Sequence, residues 1–227
     1  MKAATTALIA AAGVGSRLGL GPKAFLRLGA QSLLARVAHT ATAVADTIVA
    51  AIPPGSDAEA RAELPGHVRL IHGGESRQQS FAQLLAEAHS EYVLLLDIAR
   101  PLVSADLCQR VLNAAARHGA AGAYVPALVP AARVDAEGGV VQAYAADQYH
   151  LPQMPQAFRR TILIDVLARA KAQGLQRQTV WQLAVELGVR LQAVRGEPGN
   201  IKITEPVDWA LAQCLIDAPT SISRSDV

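Results

Sequence analysis

Residues 10–19 read Ala10-Ala11-Ala12-Gly13-Val14-Gly15-Ser16-Arg17-Leu18-Gly19, and Pro22-Lys23 follows closely. The apolar run just before this stretch, residues 6–9, predicts a short buried strand. Small residues and glycines let a loop turn tightly and bring its N–H groups close to a phosphate. Arg17 and Lys23 add two cations beside that backbone, as a triphosphate would require. An ordinary glycine turn is the alternative, but such a turn does not require both cations together with Pro22.

The rest of the chain alternates between apolar runs and helical patterns, which is typical of β-α-β units and a mostly parallel sheet. The predicted strands are 6–9, 47–52, 68–71, 92–97, 121–126 and 190–194, and the predicted helices are 31–45, 77–89, 104–118, 158–173, 179–187 and 205–217. We therefore expect an α/β protein with a Rossmann-like, mostly parallel twisted sheet and helices on both faces.

This alternation breaks between Pro130 and Pro155. Residues 133–141 have the pattern of a hairpin with a glycine turn. Such a hairpin has too little apolar surface to fold alone, so we expect it to project and to pack on a partner. We predict a single domain over residues 1–218, a homodimerisation arm at 130–154 within it, and a disordered tail at 219–227.

Composition excludes several classes of protein. The chain has 227 residues and a formal net charge of +2, and its Lys and Arg residues are scattered, so no nucleic-acid surface is indicated. No apolar segment is long enough to span a bilayer, and Arg17 and Lys23 cut the N-terminal apolar run short of a signal peptide. Cys108 and Cys214 lack a metal-ligand spacing and fit two buried thiols in a reducing cytosol. We expect a cytoplasmic protein with no nucleic-acid or membrane partner.

Six motifs follow one another along nearly the whole chain. They are Ala10 to Arg17, Pro22-Lys23, Gly73-Gly74-x-x-Arg77-x-x-Ser80, Asp97-x-Ala99-Arg100-Pro101, Pro155-Gln156-x-Phe158 and Gly199-Asn200-Ile201-Lys202-Ile203-Thr204-x-Pro206-x-Asp208. In this order they resemble the 2-C-methyl-D-erythritol 4-phosphate cytidylyltransferase family of the non-mevalonate isoprenoid pathway. The resemblance implies transfer of CMP from CTP to that polyol phosphate, with release of pyrophosphate.

The resemblance also implies a role for each motif. Arg17, Lys23 and Lys202 would be catalytic, and Lys23 is the best candidate for stabilising the charged transition state. The implied nucleotide-binding residues are Ala11, Ala12, Gly13, Gly15, Gly74, Arg77, Ser80, Asp97 and Ala99. Among these, Gly74 and Ser80 would read the cytosine ring. The acceptor's phosphate would be bound by Arg100, Arg133 and Arg160.

Several of these residues have alternative interpretations. Asp97 ends an apolar strand, which is an expensive place for a carboxylate unless it is paired or functional. It could hold the ribose or a metal-bound water, or it could form a structural ion pair with Arg100. For Ser80 the alternative is a hydroxyl on a helix surface. Residues 204–208 also fit a helix start with Thr204 as the cap, which leaves Asn200 and Lys202 unexplained.

Mg²⁺ is the expected cofactor, held mainly by the CTP phosphates. The protein alone is not expected to build a metal site, although Asp97 could contribute one ligand. The six histidines show no His-x-x-x-His pairing, so zinc is not indicated.

The half of the sequence expected to bind the acceptor departs from the family pattern. Val129, Pro130 and Ala132 stand where the family usually has an acid, a hydroxyl and a lysine, and Met154 replaces a threonine. Three functions therefore stay open: the family reaction, a cytidylyltransferase for another polyol phosphate such as ribitol 5-phosphate, and a non-catalytic nucleotide-binding homologue. The intact Arg17, Lys23 and Lys202 argue against the third, because binding alone would not need all three.

Overall fold

The computed structural model describes residues 3–13 and 18–217. Its strands are β1 (Thr5–Ala10), β2 (Arg27–Leu28), β3 (Gln31–Ser32), β4 (Thr47–Ile52), β5 (Arg69–His72), β6 (Tyr92–Asp97), β7 (Ala120–Pro126), β8 (Ala131–Val134), β9 (Val140–Tyr144), β10 (His150–Arg159) and β11 (Gln192–Arg195). Its helices are α1 (Leu33–Thr42), α2 (Asp57–Glu63), α3 (Arg77–Ala86), α4 (Ala105–His118), α5 (Arg160–Ala172), α6 (Val180–Glu186) and α7 (Pro206–Asp217).

Seven strands form one sheet in the order β11-β7-β10-β6-β1-β4-β5. All of them run parallel except β10, which lies antiparallel between β6 and β7. The carboxyl ends of β1, β5 and β6 therefore meet at one edge of the sheet. Strand β4 lies on one side of β1, and β6, which follows later in the chain, lies on the other side. The strand order therefore switches at β1, and open α/β sheets bind ligands at such a switch.

Helices cover both faces of this sheet, as predicted. Alternate residues of a strand point to opposite faces, so Ile9 and Leu94 pack in one core cluster while Leu8 and Leu95 pack in the other. Helices α1 and α4 contribute to the first cluster, and α3, α5 and α6 contribute to the second. Burial on both faces requires an apolar run, and β6 is such a run up to Asp97 at its end.

The predicted strands and helices are present, but several of their ends differ. Residues 31 and 32, predicted as helix, form β3, and α3 ends at Ala86 rather than at residue 89. The pattern predicts a helix from residue 158, but residues 158 and 159 close β10, and α5 begins at Arg160. The strands β2, β3 and β10 and the helix α2 are not predicted at all. The predicted hairpin is present as β8 and β9, with every residue from 128 to 143 exposed. Its use as a dimer arm and the single-domain division stay predictions, and the predicted tail lies outside the described residues.

No helix within residues 3–13 and 18–217 is long and apolar enough to cross a membrane.

Candidate active site

A cavity of about 530 Å³ opens at the carboxyl ends of β1, β5 and β6. It is lined by Ala10, Ala12, Gly13, Pro54, Gly73, Gly74, Glu75, Ser76, Arg77, Ser80 and Asp97. Most of the predicted nucleotide-binding residues that the structure describes lie in this lining. The residues predicted from the sequence motifs therefore lie at the edge of the sheet where the strand order switches.

The glycine-rich loop after β1 begins in a fixed position and then becomes exposed. The Ala11 N–H donates to the carbonyl of Ala51 at 2.8 Å, and Ala11 itself is buried. Ala12 is half-buried and Gly13 is exposed. The predicted site residues Gly15 and Arg17 lie outside the described residues.

The loop after β5, residues 73–76, packs directly on the glycine-rich loop. A Cβ added to Gly73 would lie 2.1 Å from the Cβ of Ala12, so only glycine allows this approach. The Ser80 hydroxyl accepts from the Gly74 N–H at 3.0 Å and donates to the Ser76 carbonyl at 3.0 Å. Ser80 is buried. The alternative of a surface hydroxyl is therefore wrong, because this side chain fixes the shape of the 73–76 loop.

Asp97 is buried, and both of its carboxylate oxygens have partners. One accepts from the Ala99 N–H at 3.0 Å, and the other pairs with the Arg77 guanidinium at 2.8 Å. The Arg77 guanidinium also lies 5.7 Å from the centre of the Phe81 ring. The alternative of an ion pair between Asp97 and Arg100 is therefore wrong, because the ion-pair partner of Asp97 is Arg77. Arg77 is the first residue of α3, and it lies beside the end of β6.

Arg100 points instead to the loop between β11 and α7, residues 196–205. Its guanidinium donates to the Asn200 carbonyl at 2.5 Å and to the Pro152 carbonyl at 3.4 Å. Burial lowers the pKa of Arg100, while the charge of Asp97 raises it and that of Arg77 lowers it. An arginine keeps its charge despite such shifts, so Arg100 presents a partly desolvated cation at this edge.

The 196–205 loop brings two further predicted cations to the same edge. Lys23 donates to the Ile203 carbonyl at 2.9 Å, and the Ile203 N–H donates to the Ala99 carbonyl at 2.7 Å. Lys202, next to Ile203, is exposed. Lys23, Arg100 and Lys202 are thus gathered around one loop.

The start of α7 differs in detail from its prediction. The Asp208 carboxylate accepts from the N–H groups of both Thr204 and Glu205 at 2.8 Å. The capping group is therefore Asp208, since the Thr204 hydroxyl contacts the Lys202 carbonyl at 3.4 Å.

Comparison with known proteins decides the family. A model of the family "2-C-methyl-D-erythritol 4-phosphate cytidylyltransferase" matches residues 5–218. The chain belongs to this family. It is a cytidylyltransferase, which is a nucleotidyltransferase enzyme. Of the three functions left open by the sequence, this membership supports the family reaction.

Individual relatives agree with the family match. The cytidylyltransferase of this name from Deinococcus radiodurans is 38% identical over 213 residues, which cover 93% of this chain and 89% of the relative. The one from Thermus thermophilus is 41% identical over 212 residues, which cover 92% and 95%. A crystal structure of the cytidylyltransferase from Thermus thermophilus aligns with a TM-score of 0.81 at 35% identity, covering 96% of this chain and 100% of that one.

The other two predicted acceptor arginines, Arg133 and Arg160, lie on different elements of this cytidylyltransferase. The Arg160 N–H donates to the Glu91 carbonyl at 2.8 Å, next to the first residue of β6. Asp97 is the last residue of that strand, so Arg160 lies at the opposite edge of the sheet, and we withdraw it from the acceptor site. Arg133 is exposed on β8, in the hairpin that follows the carboxyl end of β7.

Sequence reasoning also missed a buried residue near these cations. Gln153 lies in β10, which the pattern does not predict, and contacts the 196–205 loop through its side-chain amide. No periodic signal marks it, because two prolines interrupt the strand around it. Asn200, which the helix-start interpretation leaves unexplained, is its partner.

Proposed function

We propose that this cytidylyltransferase binds CTP in the cavity at the carboxyl ends of β1, β5 and β6 and transfers its CMP group to 2-C-methyl-D-erythritol 4-phosphate. The observation that carries the proposal is the convergence of Lys23, Arg100 and Lys202 around the 196–205 loop, beside Asp97. Three cations at one edge suit a reaction between a triphosphate and a phosphate, because both reactants are strongly anionic.

In the proposed reaction, an oxygen of the acceptor's phosphate attacks the α-phosphorus of CTP. A new P–O bond forms there, the bond to the bridging oxygen of the β-phosphate breaks, and pyrophosphate leaves with the electron pair. The nucleophile belongs to the substrate, so the protein needs to supply only positioning and charge neutralisation. We assign that electrostatic role to Arg17, Lys23 and Lys202.

The nucleoside is placed by the 73–76 loop and by Asp97. Gly74, Arg77 and Ser80 line the cavity, and the contacts of Ser80 hold the Gly74 backbone in one shape. A rigid set of backbone donors and acceptors can discriminate cytosine from other bases, since a base lacking the matching groups leaves them unpaired. Ala11, Ala12, Gly13 and Gly15 would bring backbone N–H groups to the phosphates.

Mg²⁺ fits this site as a cofactor carried by the nucleotide. No cluster of three His, Cys, Asp or Glu that could hold a metal occurs in the part of the chain that the structure describes. The cavity lining does offer carboxylate oxygens in Asp97 and Glu75, and such hard ligands suit Mg²⁺. When bound, the ion would neutralise phosphate charge. We assign Asp97 to it as the protein ligand, through a carboxylate lone pair beyond those that contact Ala99 and Arg77.

The acceptor's phosphate is assigned to Arg100 and Lys202, with Arg133 supplied by the hairpin of a second copy. Several apolar side chains of the hairpin region are exposed, namely Leu128, Val129, Val134, Val140 and Val141. An isolated two-stranded hairpin is marginal in water. A homodimer in which two hairpins pack about a two-fold axis would cover these side chains.

The direct test is pyrophosphate release with purified protein, Mg²⁺ and each of the four nucleoside triphosphates, using either 2-C-methyl-D-erythritol 4-phosphate or ribitol 5-phosphate as acceptor. We expect release only with CTP and faster release with the methylerythritol phosphate. Faster release with ribitol 5-phosphate would contradict the acceptor assignment. CTP binding by calorimetry without any release would point to the non-catalytic alternative.

A further inference from the structure

A buried pair of amide side chains ties the 196–205 loop to β10. Gln153 is 6% exposed and Asn200 is 0% exposed. The Asn200 amide donates to the Met154 carbonyl at 2.7 Å and to the Gln153 side-chain oxygen at 3.3 Å. The Gln153 amide donates to the Glu197 carbonyl at 3.0 Å, and its oxygen accepts from the Glu197 N–H at 3.2 Å. Buried amides are costly unless they are hydrogen-bonded, so these contacts fix the loop to the strand.

The start of the loop is held equally closely. The Gly196 N–H donates to the Tyr124 carbonyl at 2.6 Å. A Cβ on Gly196 would lie 2.4 Å from the Gln153 side-chain oxygen, so the backbone of the loop and this amide are in close contact. The Glu197 carboxylate accepts from the Ser104 hydroxyl at 2.7 Å. Strands β7 and β10 and the start of α4 thus define where the loop begins.

The same loop holds the cations of the proposed site through its backbone. The Asn200 carbonyl accepts from Arg100 at 2.5 Å, and the Ile203 carbonyl accepts from Lys23 at 2.9 Å. Lys202 lies between these two residues in the chain. A shift of the loop would therefore displace three cations together.

We propose that Gln153, acting with Asn200, is a positioning residue for the transfer reaction. Its amide sets the position of the 196–205 loop, and the loop sets the positions of Lys23, Arg100 and Lys202 relative to one another. The inference rests on the proposed function, in which those three cations neutralise the two reacting phosphates. Misplacement of reacting groups by about 1 Å can cost about 10²-fold in rate, so a distant amide can matter for turnover.

Gln153→Met is the first test, because methionine keeps a similar length and removes the amide. We expect kcat with methylerythritol phosphate to fall by about tenfold or more. The KM for CTP should change by less than about threefold, since the 73–76 loop and Asp97 are untouched. In an Arg100→Ala background the same substitution should cost clearly less, because residues that act through one another are not additive.

Two more variants separate positioning from a general loss of stability. Phe158 lies on β10, as Gln153 does, but packs in the core cluster that contains Leu8 and Leu95. Phe158→Leu should therefore lower the Tm without lowering kcat. Gly196→Ala keeps the Gln153 amide but displaces it, because the new Cβ would lie 2.4 Å from the Gln153 side-chain oxygen and 2.9 Å from the Tyr124 carbonyl oxygen. It should therefore shift the start of the same loop and lower kcat as Gln153→Met does, and it provides the test if Gln153→Met fails to fold. Hydrogen exchange at the Ile203 amide should be faster in both Gln153→Met and Gly196→Ala.

The outcomes are distinguishable. Wild-type protein without CTP-dependent pyrophosphate release would refute the proposed function, while the hydrogen exchange at Ile203 would still report on the loop. An active wild type together with Gln153→Met and Gly196→Ala variants of unchanged kcat would overturn the positioning role. Full additivity of Gln153→Met with Arg100→Ala would do the same.

Discussion

The guanidinium of Arg77 and the carboxylate of Asp97 form an ion pair of 2.8 Å that joins the first residue of α3 to the last residue of β6. Both side chains line the cavity in which we propose that CTP binds. The pair connects the 73–76 loop, which precedes Arg77, with Ala99, whose N–H is bound by the same carboxylate. One contact therefore fixes two walls of the cavity relative to each other.

We expect a double-mutant cycle with Arg77→Ala and Asp97→Asn to give a coupling free energy of unfolding of about 0.5–3 kcal/mol. The side chains are only 29% and 10% exposed, so solvent screens the pair weakly. The matched control is the more exposed pair of Arg27 and Glu63 at 3.0 Å, where a coupling of about 0–1 kcal/mol is expected. Urea denaturation measures both cycles, and equal coupling energies would contradict the importance of burial here.

Gly73→Ala should weaken CTP binding by about tenfold or more. The new methyl group would lie 2.1 Å from the Ala12 Cβ, which forces the 73–76 loop and the loop after β1 apart. Overpacking of this kind costs about 1–3 kcal/mol, and about 1.4 kcal/mol corresponds to tenfold in affinity. Gly66→Ala is the control, because a Cβ there meets nothing within 4 Å. Calorimetric titration with CTP compares the two, and a wild-type Kd for Gly73→Ala would exclude close loop packing as a requirement.

Lys23→Ala should lower kcat by about 10²–10³ and leave the Tm nearly unchanged. The expected loss in rate is that of one preorganised donor to the transition-state charge. We expect the same of Arg17→Ala. The control is Lys171→Ala, which removes an exposed lysine of α5 that has no role in the proposed site. A lowered Tm with unchanged turnover would show that Lys23 has a structural role, to which its bond to the Ile203 carbonyl contributes.

Pro130→Thr combined with Ala132→Lys should improve the KM for methylerythritol phosphate and leave the KM for CTP alone. The two substitutions restore a hydroxyl and an ammonium, and one hydrogen bond to a charged group is worth about 1.5–3 kcal/mol, or about tenfold or more. Pro130→Thr with Ala131→Lys is the control, since the neighbouring side chain of a strand points to the other face. A low micromolar KM of the wild type for this acceptor would show that other residues already replace the missing contacts.

The hairpin should make the protein a homodimer at micromolar concentration, as measured by light scattering. Val134 and Val140 are opposite each other in the hairpin and are both exposed. Changing both to lysine should yield a monomer, because charges do not bury at such an interface without partners. Val207→Lys is the control, since Val207 and Val140 are each 69% exposed, but Val207 lies on α7. A monomeric wild type would contradict the arm.

Helix α2 and strand β10 show why parts of the fold are not visible in the sequence. Helix α2 is short, follows two prolines and buries only Ala60, so its pattern carries little periodicity. Strand β10 contains Pro152 and Pro155, which argue against a central strand. The pairing of β10 with β7 is interrupted between Pro152 and Gln156, so the sheet accommodates the prolines at an irregular point.

Strands β4 and β6 could be predicted from the amino-acid sequence with both ends correct, because a strand buried on both faces is a continuous apolar run. The sequence also determined the family, since six ordered motifs carry their chemistry locally. The contacts between segments that are distant in the chain became visible only in the tertiary structure. Arg77 pairs with Asp97, Arg160 lies at the opposite edge of the sheet, and Gln153 reaches the 196–205 loop. The physical reason is that strand order and strand direction set which distant segments meet, and neither is encoded in the local period of apolar residues.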